Sequence, residues 1–171
     1  MSKTIYLVKT LEIEEERFKS LEVEALSSEN GVMNYIGGIL KEYEREVGKY
    51  PEMDIVEDGF ESAIYNYDKT TNILFSVDYM HIDSETEMPK EIFVYTEVNT
   101  YDSGEICPHA LGFLTKAEAK QEMISEITNR DESDFENYYW ISAGDVEDDY
   151  VELEDEECNI SYLECITVNV K

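Results

Sequence analysis

Nine of the thirteen residues from Asp145 to Glu157 are carboxylates, and no lysine or arginine lies among them. Acid runs of this density usually stay disordered, because they repel themselves and have little apolar surface to bury. This one is different. Val146, Tyr150, Val151 and Leu153 are threaded through it, and an apolar, strand-like segment at 160–170 follows. The run therefore reads as a set of acids fixed on a folded edge, and the rest of the chain has to supply the sheet that fixes them.

Composition supports a globule. Hydrophobic residues make up 42% of the 171, with thirteen tyrosines and six phenylalanines, too many aromatics for a disordered acidic chain. The length suits a single domain, 1–171, with a sizeable core. The formal net charge is −28, far beyond what solubility requires and costly in self-repulsion. The charge is uneven. Residues 51–100 hold twelve acids and two bases, and residues 131–171 hold fourteen and one. Such a field disfavours direct binding of nucleic acid or an anionic membrane, and it speeds association with basic proteins at low salt. Three cysteines, Cys107, Cys158 and Cys165, make a poor disulfide framework. The first apolar run is too short for a signal peptide, and no stretch approaches a membrane span. A cytoplasmic protein with free thiols is expected.

Residues 4–8 read as a buried first strand. From Glu14 to Ser28, Phe18, Leu21, Ala25 and Leu26 recur at three- and four-residue spacing, which predicts a helix. A second helix is expected over 32–47, with Val32, Tyr35, Ile36, Ile39, Leu40 and Tyr43 inward and Gly48 as its stop. Gly37-Gly38 within it predicts close approach of another element or, as the alternative, a kink in the helix. Strands follow at 60–67, at 73–82 with Ile73, Phe75, Val77 and Tyr79 on one face and Ser76 and Asp78 on the other, and at 91–100. The last is assigned Ile92, Val94 and Val98 inside, and Glu91, Phe93, Tyr95 and Glu97 outside. Residues 101–112 read as a loop. Thr115 and Glu118 form a capping box for a third helix with Ala119, Met123, Ile124 and Ile127 on its apolar stripe. Strands at 138–143 and 160–170 close the chain, and the residues show no internal repeat. The expected fold is α+β, a mainly antiparallel sheet with about three helices packed on one face and a strongly acidic surface.

No motif marks an active site. An EF-hand loop started at Asp145 or Asp148 places Tyr150 or Leu153 where a glycine is needed. Cys107-Pro108-His109 alone cannot make a zinc site. There is no nucleophile elbow and no phosphate-binding glycine loop. Neither cofactor, metal nor catalytic residues are expected, so the acids are read as a binding surface. Asp145, Glu147, Asp148, Asp149, Tyr150, Glu152, Glu154, Asp155, Glu156 and Glu157, with Asp78, Tyr95 and Glu97 on neighbouring strands, are the candidate partner contacts. The physical type is that of phage-encoded antidefence proteins, anti-restriction or anti-CRISPR, that mimic nucleic acid. The expected partner is a basic nucleic-acid-binding protein such as a nuclease or CRISPR effector. Two alternatives are an immunity protein against a basic toxin nuclease, and an acidic enzyme or metal-binding domain.

Overall fold

A computed structural model describes residues 2–50, 52–57, 62–66, 70–101, 106–129, 138–140, 149–155 and 159–171. The chain forms two compact units, Met1–Lys90 with Asn169–Lys171, and Glu91–Val168.

In the first unit, strands β1 (Lys3–Glu14) and β2 (Arg17–Leu26) precede helix α1 (Glu29–Val47), and β3 (Glu52–Glu57), β4 (Ser62–Asn66) and β5 (Thr71–Ile82) follow it. The antiparallel sheet has the order β2-β1-β5-β4-β3. Along β5, Ile73, Phe75 and Val77 are buried and Ser76 and Asp78 half-buried, as alternation predicts, but Tyr79, assigned to the apolar face, is 40% exposed. Helix α1 covers the face that carries Val8, Ile73, Phe75 and Val77, through Val32 and Leu40. Ser28 caps it by accepting from the Gly31 N–H at 3.2 Å, and Gly48 ends it in the left-handed conformation.

Two further expectations fail here. The helix predicted over 14–28 is strand β2. A bulge opposite Glu12/Ile13 explains the misleading period: Leu21 pairs with Leu11 and Phe18 with Ile13, so these two apolar residues share a face although they lie three apart. The second failure concerns Gly37 and Gly38. A Cβ built at either would meet nothing within 4 Å among the described residues beyond the helix's own backbone, so the expected close approach is not found there.

The second unit runs β6 (Glu91–Thr100), β7 (Ile106–Phe113), α2 (Lys116–Asn129), β8 (Tyr138–Trp140), β9 (Tyr150–Asp155) and β10 (Ile160–Asn169), with the sheet order β7-β6-β10-β9-β8. The capping box forms as expected. Thr115 Oγ1 accepts from the Glu118 N–H, and the Glu118 carboxylate accepts from the Thr115 N–H, both at 3.2 Å. Ala119, Met123 and Ile127 of α2 pack on Tyr95, Val151, Leu153, Leu163 and Cys165. The loop expected over 101–112 contains strand β7. β7 is an edge strand, the position in a sheet where a proline such as Pro108 is tolerated.

Counted from its own first strand, each unit is strand–strand–helix–strand–strand–strand, and each sheet has the order 2-1-5-4-3. The topology repeats although the residues do not. The α+β class and the antiparallel pairing stand as expected. In place of one sheet under three helices, there are two five-stranded sheets and two helices among the described residues. None of these helices is long and apolar enough to cross a membrane.

Candidate functional site

Strands β9 and β10 set acids and tyrosines in register. Val151 and Leu153, with Leu163 and Cys165, turn towards α2. Alternation then puts Tyr150, Glu152 and Glu154 on the opposite face of β9, and Ile160, Tyr162 and Glu164 on that of β10. Glu152 stands opposite Tyr162, Tyr150 opposite Glu164, and Glu154 opposite Ile160. Tyr139 of β8 pairs with Glu154 on the other side. Each acid of this face thus lies across from an aromatic or aliphatic residue, so no two carboxylates of the two strands are placed directly opposite each other, where they would repel most.

Tyr150, 39% exposed, donates from its phenol to Glu152 Oε2 at 3.0 Å. Burial, then that bond to a carboxylate, pushes the Tyr150 pKa well up. Burial, then the Glu152 charge, also raises the Tyr162 pKa. At Glu164, burial and then the Asp149 charge raise the carboxyl pKa. Both tyrosines stay protonated at neutral pH and keep an O–H to donate.

Asp149 has a different role from the one expected. Its carboxylate takes Lys116 of α2 on Oδ2 and Lys120 on Oδ1, the latter at 3.0 Å. These lysines, first Lys116, hold its pKa below the usual carboxylate value. They are four residues apart on α2, so a single acid at the start of β9 anchors one side of the helix. Its backbone carbonyl also accepts from the Cys165 N–H at 2.7 Å.

The remaining candidates scatter. Tyr95 is fully buried, and Glu97 is 8% exposed, so the outer face assigned to them is corrected. Residues 93 and 95 lie under α2, whose cover was not foreseen for that face. Tyr95 Oη donates to Glu97 Oε2 at 2.7 Å, the Asn99 amide to Glu97 Oε1 at 2.8 Å, and Ser161 Oγ to Asn99 Oδ1 at 2.6 Å. This is an internal network, not a contact surface. Asp78, in the first unit, pairs with the buried Lys9 at 2.7 Å. Asp155 holds a register position opposite Tyr138. Asp145, Glu147, Asp148, Glu156 and Glu157 lie outside the described residues. Of the thirteen candidates, the structure brings Tyr150, Glu152 and Glu154 together on one face. Tyr162 was missed, although its place between Ile160 and Glu164 in an alternating segment was signal enough.

Among the described residues no group of three or more His, Cys, Asp or Glu could hold a metal ion. Cys165 is buried, with its Sγ 3.9 Å from Met123 Sδ, and burial raises its thiol pKa to about 11. It is a small core residue and a poor nucleophile. Cys107 is exposed. The chain matches no protein-family model, no curated protein and no solved structure.

Proposed function

We propose that the protein is a non-enzymatic inhibitor that mimics nucleic acid and occupies the basic DNA- or RNA-binding surface of a nuclease-type defence protein. The observation that carries this reading is a net charge of −28 with acids held in register on a sheet face. Alternate residues on a strand lie about 6.6–6.8 Å apart. Glu152 and Glu154 therefore present charge at fixed spacing, and Tyr150 and Tyr162 stand beside them as aromatic anchors of the kind that dominate interfaces. Duplex DNA offers roughly one charge per 1.7 Å of axis, held mainly by lysine and arginine in its partners. A decoy for such a partner needs many carboxylates on a rigid support, each able to take a charge-assisted hydrogen bond. The mechanism is competition, with no chemistry at the decoy.

The test is a pull-down of the tagged protein from bacterial lysate at low and high salt. Bound proteins are identified by mass spectrometry and challenged with added DNA or RNA. Recovery of one nucleic-acid enzyme, released by nucleic acid and lost with Glu152→Lys/Glu154→Lys at unchanged circular dichroism, supports the reading. A single partner that stays bound under saturating DNA and RNA would mean an exosite inhibitor and sink mimicry. A diffuse set of basic proteins, all lost as salt rises, would sink the inhibitor reading altogether.

A further inference from the structure

The face of β9 and β10 turned away from α2 mixes acids with aromatic rings. Its register sets Glu152 opposite Tyr162 and Tyr150 opposite Glu164, so these four side chains form a chequerboard. Tyr150 is 39% exposed, Glu164 is exposed, and Glu152 and Tyr162 are half-buried. The carboxylates by themselves fit any basic partner. The tyrosines are a separate observation, and they discriminate between the nucleic acids open to imitation. Duplex DNA keeps its bases stacked inside and shows a partner only phosphates, sugars and base edges. A single strand also exposes the faces of its rings. Proteins that hold single strands combine a basic groove with aromatic side chains on which successive bases stack. The charge spacing agrees. Alternate residues of β9 put carboxylates about 6.6–6.8 Å apart on this face, far sparser than the roughly one charge per 1.7 Å of duplex axis.

Neither β9 nor β10 carries a lysine, arginine or histidine, and the nearby bases of α2, Lys116 and Lys120, are both engaged by Asp149. The cations that complement this face must come from the partner. We propose that the face imitates a short single strand, with Glu152, Glu154 and Glu164 in the place of phosphates and the rings of Tyr150 and Tyr162 in the place of unstacked bases. Its occupant is the single-strand channel of a basic protein, whose lysines and arginines meet the acids and whose aromatic side chains meet the tyrosines. This rests on the decoy reading and narrows its target. The imitation is set before a partner arrives. The Tyr150 phenol donates to Glu152 Oε2 at 3.0 Å, which fixes ring and carboxylate relative to each other and lowers the ordering cost of association.

The test uses the whole protein with ¹³C-labelled tyrosine rings, the two signals being assigned through Tyr150→Phe and Tyr162→Phe. The probe is the amidated tripeptide Lys-Trp-Lys, which joins cations to one ring. Amidated Lys-Leu-Lys at equal ionic strength is the control. The expected result is a saturable ring-current shift at Tyr150 and Tyr162 with the tryptophan peptide, and weaker binding of the leucine peptide. Tyr150→Leu leaves the net charge at −28 and should weaken the tryptophan peptide about fivefold, as loss of an aromatic pair does. If that variant does not fold, Tyr162→Leu serves instead, with the same expectation. Equal affinity for the two peptides, or unchanged affinity in the folded variant, would overturn the imitation and leave only diffuse attraction. The two readings fail separately. A captured nucleic-acid enzyme released by duplex DNA but not by single-stranded DNA or RNA of equal phosphate content removes the single-strand imitation and keeps the decoy. Tryptophan-peptide binding that depends on Tyr150, with no nucleic-acid enzyme recovered, keeps the face and removes the decoy.

Discussion

Lys9 Nζ lies 2.7 Å from Asp78 Oδ2, with the lysine side chain 5% exposed and the aspartate 32%. One of only thirteen basic residues is thus used inside the sheet, paired across β1 and β5. Removing the acid would take a carboxylate away from a buried ammonium. Asp78→Asn should cost about 2 kcal/mol, between the values for surface and fully buried pairs. Urea unfolding measures it. The same variant should leave partner affinity unchanged, and a loss of binding without a loss of stability would return Asp78 to the contact surface.

Glu15 and Glu16 turn the β1–β2 hairpin with φ of 52° and 65°. Paired positive φ values are those of a type I′ turn, which favours Asn-Gly. Two glutamates in this conformation cost roughly 1–2 kcal/mol each. Glu15→Asn with Glu16→Gly should raise the unfolding midpoint, and the lost charges should also reduce self-repulsion. A lower midpoint would show that these side chains make compensating contacts.

Gly37→Ala and Gly38→Ala should each stabilise the protein by about 1 kcal/mol. Neither glycine has a positive φ, and among the described residues nothing beyond the helix's own backbone lies within 4 Å of either missing Cβ. Thermal unfolding of the single variants decides it. Destabilisation by either alanine would mean that the helix needs a bend at that point.

Glu164 and Asp149 should respond to pH with opposite sign. The Glu164 pKa is raised in the folded state, so its ionisation weakens the fold as pH climbs past the ordinary glutamate value of about 4.3. Glu164→Gln should therefore stabilise at neutral pH, within the few tenths of a kcal/mol usual for exposed sites, and the gain should vanish in acid. The Asp149 pKa is lowered. Its contribution is present above the unfolded value and is lost only as pH falls through the lower folded one. Asp149→Asn should thus destabilise at pH 7 and converge on the parent in strong acid. Unfolding curves between pH 2 and pH 7, taken as roughly the span of carboxylate titration, check both.

Cys165 should resist thiol reagents until the fold opens, because its thiol is buried and its pKa is about 11. In a Cys107→Ser/Cys158→Ser protein, labelling by a disulfide reagent should follow unfolding. Fast labelling of the native variant would show that α2 lifts from β10.

Much of this structure could be read from the residues where a local rule decides. Gly48 ends α1, Thr115 and Glu118 cap α2, and alternation fixes the faces of β5 and β9, because each signal acts over a few residues. What failed depended on distant partners. Strand β2 resembled a helix because a bulge against β1 puts Phe18 and Leu21 on one face. Tyr95 was assigned to water because nothing near it in the chain announces that α2 will cover it. The acidic face was half legible: Tyr150, Glu152 and Glu154 follow from period two, but the lysines that claim Asp149 come from a helix some thirty residues earlier.

The shared 2-1-5-4-3 order has a kinetic consequence. In both sheets the middle strand is the last of its unit to be made, β5 in one and β10 in the other. Until it arrives, the leading hairpin and the two strands before it have no common partner, and short hairpins alone are marginal in water. β5 must then find β1 across most of its unit, pairing Lys3 with Ile82. Closing loops that long is slow, on the order of milliseconds to seconds for sheet proteins. Each unit should therefore gain its core in one late step, when the keystone strand enters between halves that cannot hold together without it.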